Sequence, residues 1–196
     1  MPLRREVLTR WGEVALVIAG TPGVGKTSVA QRLSQRTGRR YLNLANLIVE
    51  NQLYAGFDEE RKAYVVDTRR CREYLSQVLT CREVLDTHVV EAVPPSKVSQ
   101  VFVLRLNPIQ LRERLRARGY PERKIQENVE AEVLGVVLVD AVNHFGEERV
   151  CEVDTTGLSV DEVVQVILDA LAREEIMKNL RPGSVDWLEK YHYLLY

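Results

Sequence analysis

The chain has 196 residues, of which 45% are hydrophobic and 28% are charged, and its formal net charge is −1. This composition is typical of a globular protein with one sizeable core, and the near-zero charge argues against nucleic-acid binding driven by overall basicity. Cys71, Cys81 and Cys151 are odd in number and widely spaced, which indicates thiols in a reducing compartment rather than disulfides or a zinc site. The sequence has no apolar run long enough to span a membrane and no signal-peptide pattern at its start, so we expect a cytoplasmic protein without a membrane partner.

The first predicted elements are a strand, a glycine-rich loop and a helix. Residues 14–19 are apolar without interruption, which predicts a parallel strand buried on both faces. Residues 20–27 read Gly-Thr-Pro-Gly-Val-Gly-Lys-Thr and match the phosphate-binding motif G-x-x-x-x-G-K-[ST] in full. Residues 28–35 have helical spacing, so the motif stands in the strand, turn and helix context that it requires. A glycine-rich turn that happens to carry a lysine is the less favoured interpretation.

This loop predicts a binding site for a polyphosphate. Its glycines let the backbone curl so that successive N–H groups point at phosphate oxygens. We expect Lys26 to place its charge on the β- and γ-phosphates, and the hydroxyl of Thr27 to complete the coordination of a Mg²⁺ ion held by phosphate oxygens. Lys26 is therefore a predicted catalytic residue, and the predicted binding residues of the loop are Gly23, Val24, Gly25, Lys26, Thr27 and Ser28.

The rest of the chain alternates predicted strands and helices. Further strands are expected at residues 40–44, 83–90, 98–106 and 149–154. Helices are expected at residues 46–52, after caps at Asp67 and Asn107, at residues 122–144, and after a capping box that opens at Ser159. Residues 56–62 are charged and are expected to form a mobile cap outside the core. Strands alternating with helices predict an α/β protein with a five-stranded parallel sheet and helices on both faces.

An interrupted, arginine-rich helix narrows the class of protein. Arginines at positions 112, 114, 116 and 118 precede a break at Gly119-Tyr120-Pro121. Arg118, next to the break, is the predicted catalytic and nucleotide-binding lid residue, since an arginine there could close on the transferring phosphates. Arg112 and Arg116 are interpreted as a solvated face. The chain length, this lid and the absence of an N-K-x-D segment favour a P-loop NTPase of the nucleoside monophosphate kinase-like fold, with short lid and monophosphate-binding segments.

The last residues form an aromatic segment. Arg181-Pro182-Gly183 is typical of a hinge, so we divide the chain into a P-loop kinase-like domain at residues 1–180 and a C-terminal segment at residues 181–196. This segment, with Trp187 and Tyr191, is expected either to dock as a final helix or to bind a partner, and the sequence leaves both interpretations open.

With these motifs in view, the chain resembles the adenylate-kinase-like ribosome-assembly ATPases, the family of nuclear adenylate kinase isoenzyme six, also called CINAP. The resemblance covers nearly the whole chain up to the last helix and rests on residues 20–27, 53–59, 86–88, 101–105, 118–120, 127–128 and 131–132. It implies ATP and Mg²⁺ as cofactors and AMP as an acceptor. It also implies a platform ribosomal protein of the small subunit as partner, and an indirect relation to pre-ribosomal RNA.

The most discriminating of these motifs is Asp86-Thr87-His88. By resemblance, Asp86 works like a Walker B acid, and His88 helps to order the attacking water or the acceptor. The position of Asp86 in the sequence supports this role, since a carboxylate at the carboxyl end of a parallel strand lies on the ligand side of the sheet. A lone histidine such as His88 more often has a hydrogen-bonded structural role, so a catalytic role for His88 rests on the resemblance.

The chain departs from the family at one position. Where the resemblance implies an arginine or lysine for the acceptor phosphate, this sequence has Val49. We therefore expect weaker AMP phosphorylation, whereas ATP hydrolysis is less affected. Two functions compete: a metabolic nucleoside monophosphate kinase that uses Lys26, Thr27 and Arg118, and an ATPase whose hydrolysis times the binding and release of the ribosomal protein. We favour the second, and another P-loop small-molecule kinase is a weaker third alternative.

Overall fold

The computed structural model describes residues 14–60, 62–80 and 82–195. Its strands are β1 (Ala15–Ala19), β2 (Arg40–Asn43), β3 (Tyr54–Asp58), β4 (Ala63–Val66), β5 (Glu83–Asp86), β6 (Val98–Arg105) and β7 (Val150–Asp154). Five of them form a parallel sheet in the order β2-β5-β1-β6-β7, and β3 and β4 form a separate antiparallel hairpin. The predicted α/β fold with a five-stranded parallel sheet is confirmed.

Helices connect the strands and cover the sheet. They are α1 (Lys26–Thr37), α2 (Leu44–Glu50), α3 (Thr68–Val78), α4 (Pro108–Ala117), α5 (Glu122–Val133), α6 (Val136–Phe145), α7 (Val160–Ala172), α8 (Glu174–Asn179) and α9 (Trp187–Tyr191). The predicted caps at Asp67, Asn107 and Ser159 are confirmed, because each side chain accepts a hydrogen bond from a backbone N–H of the first turn. No helix in the described part of the chain has the length and apolar character needed to cross a membrane.

Helices cover both faces because the central strand buries side chains on both sides. Leu16 and Ile18 pack with apolar residues of α1, α4, α5 and α7. Ala15 and Val17 pack on the opposite face with residues of α2, α3 and α6. All five residues of β1 are buried, which explains why this strand is apolar without alternation.

The strand order places the candidate site at the carboxyl edge of the sheet. After the central strand β1, the chain continues to β2 at one end of the sheet. After β6, which neighbours β1, the chain continues to β7 at the other end. Ligands of open α/β sheets bind in the crevice that forms at such a point. Ile18 near the end of β1 is paired with Asp86 at the end of β5, so the glycine loop and the Asp86-Thr87-His88 motif lie side by side.

Two predicted elements are corrected by the structure. The strand expected at residues 83–90 ends at Asp86, because the Thr87 hydroxyl accepts a hydrogen bond from the backbone N–H of Val89 at 2.9 Å and closes a turn. The helix expected at residues 122–144 is two helices, since Gly135 adopts a φ of 65° that interrupts the helical ladder. The charged segment expected to form a mobile cap begins on β3 of the hairpin, which lies outside the five-stranded sheet.

The C-terminal segment contacts the domain. The Asn107 side-chain amide donates a hydrogen bond to the Tyr191 hydroxyl at 2.7 Å, and the amide of Gln126 donates to the Leu194 carbonyl at 2.6 Å. Trp187 and Leu194 are buried. The described part of the segment is therefore docked beside α4 and α5, and binding of a partner by it stays a prediction.

Candidate active site

Two positions of the phosphate-binding loop require glycine. Gly20 has a φ of 140° and Gly23 a φ of 101°. A Cβ atom at Gly20 would lie 2.5 Å from the carbonyl oxygen of Leu104, and one at Gly23 would lie 2.7 Å from the Leu111 side chain. The loop therefore runs closely between the sheet and α4, with backbone angles that other residues rarely adopt.

Lys26 is the first residue of α1, and its side chain lies back over the loop. It is only 8% exposed, and its ammonium donates a hydrogen bond to the Thr21 carbonyl at 3.1 Å. Burial lowers the pKa of Lys26 to about 8, against the opposing effect of the Asp86 and Glu132 carboxylates. A desolvated ammonium with one carbonyl partner can exchange that partner for phosphate oxygens, which bind it more strongly.

Thr27 and Asp86, two residues of the predicted site, are in direct contact. The Thr27 hydroxyl donates a hydrogen bond to Asp86 at 2.6 Å, and the Asp86 side chain is 3% exposed. The described residues contain no group of three His, Cys, Asp or Glu side chains that could hold a metal ion by themselves. The pair fits a Mg²⁺ ion that takes most of its ligands from phosphate oxygens and water, where the ion would neutralise charge on the transferring phosphates.

Tyr41 and Asn43 complete the surroundings of Asp86 and were not identified from the sequence. The Asn43 amide donates to the carboxylate at 2.9 Å and the Tyr41 hydroxyl donates to it at 3.2 Å. Burial raises the pKa of Tyr41, so its hydroxyl stays protonated and remains a donor. Both residues lie on β2, where Asn43 is paired with Asp86. In the sequence, the only feature that could have identified these two residues is that they are polar within a predicted strand.

His88 lies in the turn after β5. The backbone N–H of Thr87 donates to the carbonyl of Ile18 at 3.1 Å and holds this turn against β1. The His88 side chain is exposed, and within the described ranges its ring has no hydrogen-bond partner. Although the ring reaches solvent, the surrounding protein disfavours its charged form and the Lys26 ammonium repels it, so the pKa of His88 is lowered. A neutral imidazole here can accept a proton from water.

The predicted lid arginine lies at the end of α4. Arg118 is exposed and lines a cleft of about 340 Å³ together with Ser28 and Leu158. Arg114, one turn earlier, contacts the loop directly, because its guanidinium donates to the Val24 carbonyl at 3.4 Å. The sequence interpretation chose Arg118 and missed Arg114, although the spacing of four residues on a helix places both on one face.

The other two arginines of α4 are oriented differently. Arg116 is exposed and pairs with Glu122 at 2.7 Å, in agreement with a solvated face. Arg112 is half-buried and donates to Gln126 at 3.0 Å, so the interpretation of Arg112 as solvated is wrong. Its hydrogen bond to Gln126 instead connects α4 with α5.

The position expected to hold the acceptor phosphate lies on α2, which the β3–β4 hairpin follows in the chain. Val49 on α2 is 48% exposed. Phe57 and Tyr64 stand opposite each other on the hairpin, with ring centroids 5.3 Å apart. Glu60 at the hairpin turn pairs with Arg123 of α5 at 2.6 Å. An exposed ion pair contributes little stability, but this one shows that the hairpin and α5 are in contact.

A second cavity, of about 390 Å³, lies beside Gln100 and Cys151 near the opposite, amino edge of the sheet. None of the predicted site residues lines it. Burial raises the pKa of the Cys151 thiol to about 11, so this thiol stays protonated and unreactive. The chemistry of the glycine loop, rather than cavity size, therefore identifies the candidate active site.

The parallel sheet, the glycine loop, the buried lysine and the Thr27–Asp86 pair are those of a P-loop phosphotransferase. Residues 16–135 match a protein family described as an AAA domain. A relative from Saccharolobus solfataricus, named "Putative adenylate kinase", is 37% identical over 176 residues, which are 88% of this chain and 87% of the relative. A relative of the same name from Methanocaldococcus jannaschii is 34% identical over 90% of this chain and 94% of its own length. The chain belongs to this adenylate-kinase-like P-loop family.

Solved structures with less similar sequences share the fold. A shikimate kinase from Acinetobacter baumannii in complex with shikimate has a TM-score of 0.59 at 17% identity, covering 85% of this chain and 97% of the kinase. A gluconokinase from Sinorhizobium meliloti has a TM-score of 0.52 at 19% identity, covering 86% and 95%. These two likenesses show the fold alone. The adenylate-kinase-like relatives make the chain a phosphotransferase of the nucleoside monophosphate kinase type, and this family implies ATP and, typically, Mg²⁺ as cofactors.

Proposed function

We propose that the protein is an Mg·ATP-dependent adenylate kinase and ATPase that acts in the cytoplasm during maturation of the small ribosomal subunit. Its hydrolysis of ATP would time the binding and release of a platform ribosomal protein, with pre-ribosomal RNA affected indirectly. The observation that carries the proposal is the contrast between the residues expected to bind ATP and the position expected to hold the acceptor phosphate. The ATP side has its buried lysine and its Thr27–Asp86 pair, whereas the acceptor side has Val49 where a cation is expected. The resemblance to the ribosome-assembly ATPases supplies the partner.

The residues of the ATP side support phosphoryl transfer. Lys26 would exchange the Thr21 carbonyl for oxygens of the β- and γ-phosphates. Thr27 and Asp86, which are hydrogen-bonded to each other, would hold a Mg²⁺ ion and its water, and the ion would neutralise charge on the transferring phosphates. The lid arginine on α4 closes over the phosphates, stabilises the charge that develops on them and excludes bulk water.

His88 supports hydrolysis in addition to transfer. Its exposed ring is free of hydrogen bonds from the described residues, and its lowered pKa keeps it neutral near pH 7. A neutral imidazole beside the γ-phosphate position can hold a water molecule in line for attack and accept its proton. A ribosomal protein bound near the turn would then be able to change the rate of hydrolysis.

A metabolic nucleoside monophosphate kinase is the second candidate. It is favoured by the name that the Saccharolobus and Methanocaldococcus relatives share. In this function AMP is the acceptor, and the phosphoryl group passes to AMP without release of free phosphate.

A product assay separates the two candidates. With ATP alone and with ATP plus AMP, we expect free phosphate as the main product and slow transfer to AMP. Val49→Arg should raise transfer to AMP more than hydrolysis, because a guanidinium can clamp the acceptor phosphate. The control Val49→Leu should leave both rates unchanged. Wild-type transfer to AMP that outpaces hydrolysis, together with hydrolysis that does not respond to the ribosomal protein, would favour the metabolic kinase.

His88→Ala should slow hydrolysis by at least about tenfold, since it removes a positioned proton acceptor. ATP affinity should stay near wild type, because it depends on the loop and Lys26. Release of the ribosomal protein should slow in parallel with hydrolysis. ATP binding, single-turnover hydrolysis and partner dissociation are measured on the same variant, with His144→Ala as a control at a histidine of α6. Unchanged hydrolysis, or loss of ATP binding in parallel with hydrolysis, would make His88 a structural residue.

A further inference from the structure

A buried ionic network connects the phosphate-binding loop to the C-terminal segment. At its centre is Arg105, the last residue of β6, which donates to Glu132 at 2.9 Å and to Glu152 at 2.5 Å. Arg105 is 3% exposed, and each of the two glutamates is 1% exposed. Two buried carboxylates that share one guanidinium need further hydrogen-bond donors, and burial raises the pKa of Glu132 against the opposing effect of Arg105.

One end of the network holds the loop. Glu132 accepts a hydrogen bond from the Thr21 hydroxyl at 2.5 Å and another from the backbone N–H of Leu106 at 3.0 Å. The carbonyl of Thr21 is also the group that accepts the hydrogen bond from Lys26. Glu132 thus fixes, through its side-chain contact to Thr21, the backbone group that orients Lys26 before nucleotide binds.

The other end holds the C-terminal segment. One oxygen of Glu152 accepts hydrogen bonds from the backbone N–H groups of Gly183 at 2.9 Å, Ser184 at 2.8 Å and Val185 at 3.2 Å, and from the Ser184 hydroxyl at 3.1 Å. Gly183 has a φ of 92°, which lets consecutive N–H groups converge on one anion. The C-terminal segment therefore supplies the donors that the buried carboxylate needs.

We propose that Glu132 is a positioning residue for the phosphate-binding loop, and that the C-terminal segment sets this position through Glu152 and Arg105. When residues 183–185 move away from Glu152, its carboxylate loses four hydrogen-bond donors and competes more strongly for Arg105. The pairing of Arg105 with Glu132 is then weakened, and with it the hydrogen bond by which Glu132 holds Thr21. Nucleotide binding and docking of the segment are then coupled, and the coupling acts in both directions. This inference rests on nucleotide binding at the loop, but not on the acceptor or on a ribosomal partner.

The first test follows the C-terminal segment while the loop is changed. Amide hydrogen exchange at residues 183–185 is measured in the full chain with and without saturating Mg·ATP. In the wild type, ATP should slow this exchange roughly fivefold or more, within the usual range of coupling between sites. Thr21→Val, which keeps the size of the side chain but removes the hydroxyl, should lose most of this protection. Thr21→Ser, which keeps the hydroxyl, should retain it.

The second test follows the loop while the network is changed at its far end. Glu152→Gln should raise the Kd for Mg·ATP roughly fivefold, since it weakens both the Arg105 pair and the contacts to residues 183–185. Tyr191→Phe is the matched control, because it removes a hydrogen bond of the C-terminal segment to Asn107 without touching the network. Its Kd should stay within about twofold of the wild-type value.

Each outcome decides the inference. Exchange at residues 183–185 that does not respond to ATP, in wild-type protein that binds ATP, overturns the coupling alone. Wild-type protein that binds no ATP overturns the nucleotide site as well. Equal behaviour of Thr21→Ser and Thr21→Val assigns the effect to packing and also overturns the inference. If Thr21→Val raises exchange throughout β1, the variant is destabilised as a whole, and the Glu152→Gln and Tyr191→Phe pair decides.

Discussion

Lys26→Ala should lower both phosphoryl transfer and ATP hydrolysis at least about 10²-fold, because it removes a positioned charge from the transferring phosphates. The lysine is buried over the loop and bonds the Thr21 carbonyl, so its ammonium is in place before nucleotide arrives. The measurement is kcat under saturating Mg·ATP, with and without AMP.

The loss should not come from unfolding. Thermal melting of the variant checks this, because burial disfavours the Lys26 ammonium and lowers its pKa while the Asp86 and Glu132 carboxylates favour its charge. Arg116→Ala removes one positive charge from an exposed position and is the matched control. Activity near wild type in Lys26→Ala would contradict the assignment of the glycine loop as the active site.

The affinity for ATP should fall by about tenfold per pH unit above pH 8, because phosphate binds the charged ammonium and the empty protein loses that charge first. The pKa of Lys26 in the empty loop is about 8, and the phosphates of bound ATP raise it again. Binding at pH 9 should therefore take up a proton. Calorimetric titrations in buffers of different ionisation enthalpy measure both the affinity and the proton uptake.

Two groups near Lys26 do not titrate in the pH range from 8 to 9. Burial raises the pKa of Tyr41, so the tyrosine stays protonated, whereas the lowered pKa of His88 leaves the imidazole neutral throughout. Lys26→Arg is the control, since a guanidinium keeps its charge and should give an affinity nearly independent of pH. An affinity that is equally flat in the wild type would show that Lys26 is fully charged in the empty loop.

The same lysine has the opposite effect on stability. Between pH 8 and 10.5 the unfolded chain holds the Lys26 proton and the folded chain does not. A rise in pH across this range therefore increases the contribution of Lys26 to the free energy of unfolding, while it decreases the affinity for ATP. Unfolding curves of wild type and Lys26→Arg at pH 7 and pH 9 separate this contribution from that of other groups.

Two failures of the sequence interpretation involve a tertiary contact, whereas the break of the expected helix at Gly135 is a local backbone effect. The strand expected to continue to residue 90 ends at Asp86 because Thr87 bonds the chain two residues ahead and the turn is held by the Ile18 carbonyl of β1. Arg114 was passed over because its contact to Val24 joins residues ninety positions apart. Hydrophobic spacing carries no information on either contact, since it reports which face of an element is buried and not what that face meets.

The sequence by itself determined the elements that depend on near neighbours: the unbroken apolar β1, the glycine loop, the helix caps at Asp67, Asn107 and Ser159, and the alternation that predicts the parallel sheet. Their causes act over a few residues, through backbone angles, capping hydrogen bonds and burial. Only the tertiary structure decided which side chains surround the site. Tyr41 and Asn43 reach Asp86 because β2 lies beside β5, and Thr21 meets Glu132 across 111 positions of the chain. These pairs form because the order of strands brings distant polar groups into one interior, where each buried carboxylate must find its donors.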